Sequence, residues 1–139
     1  MAYTRTVYFS ETDAAGVVYF AEMMSMCHQA YEAALINLDI DLKTFVNNPD
    51  FAIPIVHASM DYRQPIYCGD RIVINLSPQQ LSLHTFQIEY QICLADDPQS
   101  LIAQGITKHI SINPSTRQRQ PLPTPIQQWL SSPHNPGQI

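Results

Sequence analysis

Residues 18–37 read VYFAEMMSMCHQAYEAALIN, and this stretch decides the fold. Its apolar residues recur with the i, i+3, i+4, i+7 spacing of a helix that buries one stripe. The stripe comprises Phe20, Met23, Met24, Cys27, Tyr31, Ala34, Leu35 and Leu38. The pattern predicts one long helix, roughly residues 18–37, whose apolar face needs a partner.

Segments with the alternation and residue types of β-strands flank this helix. One strand is predicted before it, over residues 3–9, and a short second helix after it, over residues 42–46. Four further strands are predicted over residues 52–63, 71–81, 85–95 and 102–113. Strands that follow one another without intervening helices favour an antiparallel sheet. A curved antiparallel sheet wrapped around one long central helix is an α+β fold.

The length of 139 residues allows one domain with one core, which we expect to span residues 1–123. The remaining residues, 124–139, are expected to form a C-terminal tail. Six of the eleven prolines lie from Pro114 onward. The tail pattern predicts one helical turn over residues 126–130 and disorder beyond Ser131.

Charge and composition narrow the classes of partner. The net charge of −5 argues against nucleic acid, because phosphate backbones are bound by basic surfaces. Only 14% of the residues are charged, which is low for a small monomer and favours a homo-oligomer. No apolar run approaches the length of a membrane span, and the start has no signal-peptide layout. Three widely spaced cysteines, Cys27, Cys68 and Cys93, indicate a reducing cytoplasm.

Cysteine and histidine residues give no catalytic dyad or metal site in this sequence. Cys27 and His28 are adjacent on the predicted helix and point about 100° apart, so Cys27 is interpreted as a core residue. His28 and Glu32 are four residues apart and are expected to pair on the helix surface. The other histidines considered fall on separate predicted strands or their edges without metal-ligand spacing: His57, His84 and His109. We therefore predict neither a metal nor a cofactor.

The segment ETDAAGVVYF, residues 11–20, is the most informative for chemistry. In one interpretation Asp13 caps the following helix and Gly16 allows a tight turn. In the other, Asp13 is a catalytic carboxylate beside the free N–H groups of a helix start, which can hold a developing oxyanion. Glu11 is interpreted as structural. The residues alone leave both interpretations of Asp13 open.

This segment resembles the active-site motif of the 4-hydroxybenzoyl-CoA thioesterase branch of the hotdog proteins. That motif has an aspartate followed by two small residues, a glycine, two aliphatic residues and two aromatic residues or a histidine. The resemblance extends to about Pro123 and includes Tyr62-Arg63-Gln64-Pro65 and Gly69-Asp70. Within the branch, the chain is most similar to the cyanobacterial 1,4-dihydroxy-2-naphthoyl-CoA hydrolases, which act in phylloquinone synthesis. The resemblance implies a hotdog fold.

The resemblance also implies an acyl-CoA thioesterase mechanism. Asp13 attacks the thioester carbonyl or activates a water to do so, and the backbone N–H of Phe20 binds the thioester oxygen. Family members form dimers or tetramers with sites shared between subunits, so the expected assembly is a homotetramer built from dimers.

Position 20 bears on the acyl group. Short-chain relatives usually carry histidine there, whereas this chain has Phe20, closer to the enzymes of aromatic acyl groups. A two-ring acyl group is expected in an apolar pocket formed by Phe20, Met24 and Tyr31. Gly16, Val17 and Tyr19 are expected to contact the substrate as well.

The CoA phosphates are expected near the start of the fourth strand. Many relatives place Lys-Ser or an Arg-rich stretch there, and this chain has His84-Thr85 instead, which we assign to substrate binding. Basic residues of a neighbouring subunit are the alternatives: Arg63, Lys108, Arg117 and Arg119.

Two other functions fit the same sequence. One is a general thioesterase of short or medium-chain acyl-CoA, and the other is a non-catalytic module that binds acyl-CoA or an acyl carrier. A hotdog dehydratase is disfavoured, because it needs a histidine paired with a carboxylate at the helix start and His28 lies too far along the helix.

Overall fold

The computed structural model describes residues 1–132 as five strands, three α-helices and a short 3-10 turn at Phe9–Glu11. Their bounds in chain order are β1 (Ala2–Thr6), α1 (Phe20–Asn37), α2 (Leu42–Phe45), β2 (Ile55–Tyr62), β3 (Arg71–Gln80), β4 (Thr85–Leu94), β5 (Asp97–Ile110) and α3 (Thr124–Ser131).

The strands form one sheet in the order β1-β3-β4-β5-β2, and every neighbouring pair is antiparallel. The predicted α+β class and antiparallel sheet are therefore confirmed. Strand β2 is an edge strand, whose register pairs Ile55 with His109 and Tyr62 with Ala103. We call the end of the sheet where β2 begins the Ile55 end, and the opposite end the Tyr62 end.

Helix α1 packs its apolar stripe against the sheet. Its buried residues are Met23, Met26, Cys27, Ala30, Tyr31, Ala34 and Leu35. Burial of each large side chain contributes about 1.5–3 kcal/mol, so this face holds much of the core together. The prediction that Cys27 is a core residue is confirmed, and burial raises the pKa of its thiol to about 12. No helix among residues 1–132 is both long and apolar enough to cross a membrane.

Three predicted strands differ from the observed ones by three or more residues at an end, and β2 begins at Ile55 instead of residue 52. Strand β1 ends at Thr6, because the chain turns into the 3-10 segment Phe9–Glu11. Strand β5 begins at Asp97 instead of residue 102, because a tight hairpin brings Asp97 opposite Leu94. The pairing of β4 with β5 shifts register on either side of Cys93, and this bulge allows Pro98 to lie inside β5.

The packed unit extends beyond residue 123, where the sequence analysis placed the end of the domain. Helix α3 buries Ile126 and Trp129 in the main hydrophobic core. The Trp129 ring lies 6.2 Å from the rings of both Tyr31 and Phe86. The predicted helical turn is thus a complete short helix that closes one side of the core. The predicted disorder concerns residues 133–139, which lie outside the described residues.

Candidate active site

The segment from Thr12 to Val18 is a tight hairpin that presents Asp13. The Asp13 N–H donates to the carbonyl of Val17 at 2.7 Å, and the Gly16 N–H donates to the carbonyl of Asp13 at 3.0 Å. Gly16 has φ +80°, a left-handed conformation that glycine adopts without strain. The glycine is therefore needed for this turn.

Two backbone donors orient the Asp13 carboxylate. Its Oδ1 accepts from the N–H of Ala15 at 2.8 Å and of Val17 at 3.3 Å. The side chain is exposed, and its Oδ2 accepts no hydrogen bond from residues 1–132. One oxygen is thus held by the turn while the other faces outward, as a nucleophile or general base requires.

Asp13 does not cap α1, so that interpretation is wrong. The N-cap residue is Tyr19, which makes no side-chain capping bond, and the helix begins at Phe20. The N–H of Phe20 has no backbone acceptor within residues 1–132. It lies at the positive end of the helix dipole and can donate to an anionic oxygen.

A buried ion pair anchors the hairpin to the sheet. The Arg5 guanidinium pairs with the Glu11 carboxylate and also donates to Gln29 Oε1 at 2.6 Å. The Glu11 carbonyl accepts from the N–H of Tyr19 at 3.0 Å. Glu11 therefore has the structural role that the sequence indicated. Arg5 was missed, although its inward position in an alternating strand was the available signal.

Three aromatic rings lie exposed at the start of α1. The rings of Tyr19 and Phe20 are 4.8 Å apart, and Tyr62 meets Phe20 edge-on at 6.3 Å. The Tyr62 hydroxyl donates to the carbonyl of Phe20 at 2.8 Å. Desolvation raises the pKa of Tyr62, and the hydrogen bond from its hydroxyl fixes the helix start to β2. Phe20 itself is 60% exposed, so the prediction that it belongs to the buried stripe is wrong.

Tyr31 lies apart from Phe20 and Met24 in a single chain. Eleven residues of helix separate Phe20 from Tyr31, which is about 16 Å along the axis. Tyr31 borders a cavity of about 360 Å³ at the Ile55 end of the sheet. Its apolar lining includes Leu35, Phe45, Ile53, Ile55 and Ile112, and its polar lining is His28, Glu32 and Arg117. The predicted pair of His28 and Glu32 is confirmed, with Nδ1 and Oε1 at 3.2 Å.

His84 and Thr85 also lie at the Ile55 end. Thr85 Oγ1 is 2.7 Å from Ser82 Oγ in the turn between β3 and β4, and the His84 carbonyl accepts from the Ser111 N–H at 2.8 Å. The ten residues of β3 separate this turn from the Asp13 hairpin, about 30 Å along the strand.

The predicted site residues thus form two groups at opposite ends of the sheet. Asp13, Gly16, Val17, Tyr19 and Phe20 lie at the Tyr62 end. Tyr31, His84 and Thr85 lie at the Ile55 end, and Met24 lies one helical turn beyond Phe20, half-buried against the core. A single chain does not bring the two groups together.

Known proteins match this chain over nearly its whole length. The family model described as the thioesterase-like superfamily matches residues 7–130. A 1,4-dihydroxy-2-naphthoyl-CoA hydrolase of Crocosphaera subtropica is 56% identical over 132 residues, covering 95% of this chain and 96% of that protein. One from Rippkaea orientalis is 53% identical, with 96% of each covered.

A solved structure matches as well. The crystal structure of a 1,4-dihydroxy-2-naphthoyl-CoA thioesterase from Synechocystis superposes with a TM-score of 0.89 at 42% identity, covering 93% of each chain. The hotdog fold predicted from the sequence is confirmed by these similarities.

Proposed function

The chain belongs to the thioesterase-like superfamily, and from that premise we propose that it hydrolyses 1,4-dihydroxy-2-naphthoyl-CoA to 1,4-dihydroxy-2-naphthoate and CoA. The observation that carries the proposal is the Asp13 carboxylate, held by two backbone N–H groups on the hairpin that leads into the start of α1. The hydrolysis serves phylloquinone synthesis. Three free cysteines suit the reducing cytoplasm in which we place the reaction.

Asp13 and Phe20 supply the chemistry. The free Oδ2 of Asp13 attacks the thioester carbon or takes a proton from the water that attacks it. The carbonyl oxygen becomes an oxyanion, which accepts from the Phe20 N–H, and the C–S bond then breaks to release CoA as the thiolate. In the first route water afterwards hydrolyses a mixed anhydride on Asp13. Single turnover in ¹⁸O-labelled water identifies the covalent route if the label enters Asp13, which happens when water attacks the Asp13 carbonyl carbon of the anhydride.

A dimer built on β2 completes the site. Seven of the eight residues of β2 are exposed, including Ile55 and Val56, and one edge of the strand is unpaired within residues 1–132. An exposed apolar edge strand is a template for pairing with another chain. Two copies of β2 that pair antiparallel about a two-fold axis place Tyr62 of one protomer beside the start of β2 in its partner.

This pairing joins the two groups of site residues. The Tyr62 hydroxyl is hydrogen-bonded to the Phe20 carbonyl, so the start of α1 and the Asp13 hairpin lie at the same end of the sheet as Tyr62. In the dimer, this hairpin of one protomer therefore approaches the cavity at the Ile55 end of its partner. Two such dimers form the proposed homotetramer. The variant Val56→Lys is expected to be monomeric by light scattering and to hydrolyse little substrate. The variant Leu83→Lys, at another exposed apolar position, should keep the assembly. An active monomeric Val56→Lys protein would contradict the shared site.

The cavity fits an aromatic acyl group. Its volume of about 360 Å³ and its aromatic and aliphatic lining accommodate a fused two-ring group. Phe20 adds an exposed ring beside the reacting carbonyl, where short-chain relatives carry a histidine.

A substrate panel tests the proposal. We expect thiol release from 1,4-dihydroxy-2-naphthoyl-CoA to have a kcat/KM about 100-fold above that of octanoyl-CoA or butyryl-CoA, because a shaped pocket discriminates by a few kcal/mol. 4-Hydroxybenzoyl-CoA should fall between them. Faster hydrolysis of butyryl-CoA would identify a general thioesterase, and CoA ester binding without turnover would identify a non-catalytic module.

A further inference from the structure

We infer that the ring of Phe45, on the short helix α2, is the wall that limits the length of the acyl group. The inference rests on the proposed function, because it assigns a boundary to the cavity proposed to hold that group. Phe45 lines this first cavity, of about 360 Å³, at the Ile55 end of the sheet. It also lines a second cavity, of about 210 Å³. Removal of the ring should therefore join the two cavities.

Phe45 is the common boundary of the two cavities. Within residues 1–132, it is the one residue that lines both. Leu42 and Val46 are four residues apart in the α2 segment, and both line the first cavity. Asp41 and Thr44 are three residues apart in the same segment, and both line the second cavity. The α2 segment therefore lies between the cavities, with one face toward each.

The second cavity suits a hydrocarbon chain, because its polar side chains bond to local turns. Asp41 Oδ1 accepts from the Lys43 N–H at 3.1 Å, and the Thr44 hydroxyl donates to the Asp41 carbonyl at 3.0 Å. Asn48 Oδ1 accepts from the Asp50 N–H at 2.8 Å. An alkyl chain that enters would thus bury apolar surface without breaking these bonds. Apart from Asp39, the rest of the lining is apolar: Ile40, Phe45, Phe51, Pro123, Pro125 and Ile126.

The Phe45 ring is held in place between the cavities. It is half-buried against the main core and meets the Phe51 ring edge-on, with the centroids 5.5 Å apart. The Phe45 N–H donates to the Asp41 carbonyl at 2.9 Å, so its backbone is fixed by the turn of α2. Loss of the ring should therefore open the wall without unwinding the helix.

A fixed wall favours a compact acyl group over a long one. A fused two-ring group fits the first cavity, whereas a long alkyl chain meets Phe45. A close-packed wall gives way only at a cost, so the chain end is excluded. Once the cavities are joined, each methylene that enters raises the affinity about fourfold, and two methylenes give more than about tenfold.

Calorimetric titration with two non-hydrolysable thioethers, S-hexyl-CoA and S-dodecyl-CoA, tests the inference. Wild type should bind S-dodecyl-CoA no tighter than S-hexyl-CoA, because the additional methylenes meet the wall. Phe45→Ala should bind S-dodecyl-CoA at least about 10-fold tighter than wild type does, with S-hexyl-CoA binding within about threefold. Phe45→Leu should shift in the same direction by a smaller factor, and it retains an apolar side chain if the alanine variant does not fold.

Phe9→Ala is the matched control. Phe9 is 82% exposed and lines neither cavity, so the same substitution there should leave the binding of both thioethers within about twofold of wild type.

Three outcomes overturn the inference. One is unchanged binding of S-dodecyl-CoA by both Phe45 variants, and another is a wild type that already binds S-dodecyl-CoA much tighter than S-hexyl-CoA. The third is an equal gain for both thioethers in Phe45→Ala, which would indicate a change outside the joined cavity. Because the thioethers report binding without turnover, a selective gain supports the inference even if no thioester is hydrolysed, an outcome that would overturn the proposed hydrolysis alone.

Discussion

The buried imidazole of His109 makes the stability of this protein depend on pH. The side chain is fully buried, its Nε2 lies 2.8 Å from Thr107 Oγ1, and its ring stacks on Phe86 at 4.5 Å. Burial lowers the pKa of His109 from 6.5 to about 4, and repulsion from His28 adds to the shift. No carboxylate within residues 1–132 forms an ion pair with His109.

The direction and the size of the pH effect on stability follow from the lowered pKa of His109. The folded protein binds the His109 proton more weakly than the unfolded chain does. The stability that the neutral His109 side chain contributes is therefore fully present above about pH 6.5 and is lost as the pH falls toward 4. The whole difference corresponds to about 3 kcal/mol, of which about 2 kcal/mol is lost by pH 5.

Urea unfolding of wild type, His109→Gln and His57→Gln measures the effect. Fluorescence of Trp129, the single tryptophan, follows the transition. Between pH 7.5 and 5 the free energy of unfolding of wild type should fall by about 2 kcal/mol more than that of His109→Gln. His57 is exposed, so His57→Gln should follow wild type. Parallel pH profiles for wild type and His109→Gln would refute the reasoning.

Three further substitutions test the packing and the site. Trp129→Ala should lower the free energy of unfolding in urea by about 3–5 kcal/mol, because it leaves a cavity between α3 and α1; a loss below about 1 kcal/mol would mean that α3 is not part of the core. Glu11→Gln should cost about 3 kcal/mol by the same assay and also lower kcat, because it leaves the buried charge of Arg5 uncompensated under the Asp13 hairpin. Tyr62→Phe should lower kcat about 3-fold to 10-fold with a smaller change in KM, because its hydroxyl positions Phe20 and does not touch the substrate; a change in KM alone would argue against that positioning role.

The long helix and the antiparallel sheet could be predicted because their patterns are local. The apolar stripe of α1 needs only a helical period, and the consecutive strands need only alternation and turn residues. The stripe was misjudged at Phe20, since Phe20 is the first residue of α1 and its ring meets Tyr62 on the surface. The tail was misjudged because the prolines before Ile126, at positions 121, 123 and 125, hid the full extent of a short helix that the core requires.

The sequence alone could not show that the site residues lie in two groups at opposite ends of the sheet. Tyr31 and Phe20 share one face of a helix by spacing, but sharing a face does not place them in one pocket. Which end of the sheet each residue reaches depends on strand direction and register, and these are set by long-range pairing. The Asp13 hairpin was the exception, because Gly16 and the residues around it specify the turn locally.

Hydrolysis by the variant Asp13→Asn tests the central claim most directly. The asparagine oxygen can still accept from the N–H groups of Ala15 and Val17, so the hairpin should keep its conformation while the base and nucleophile are lost. We predict that kcat/KM for 1,4-dihydroxy-2-naphthoyl-CoA falls by about 10²–10⁴ relative to wild type, with Asp96→Asn, an exposed control, unchanged. Turnover by Asp13→Asn at the wild-type rate would contradict the assignment of Asp13 as the catalytic carboxylate.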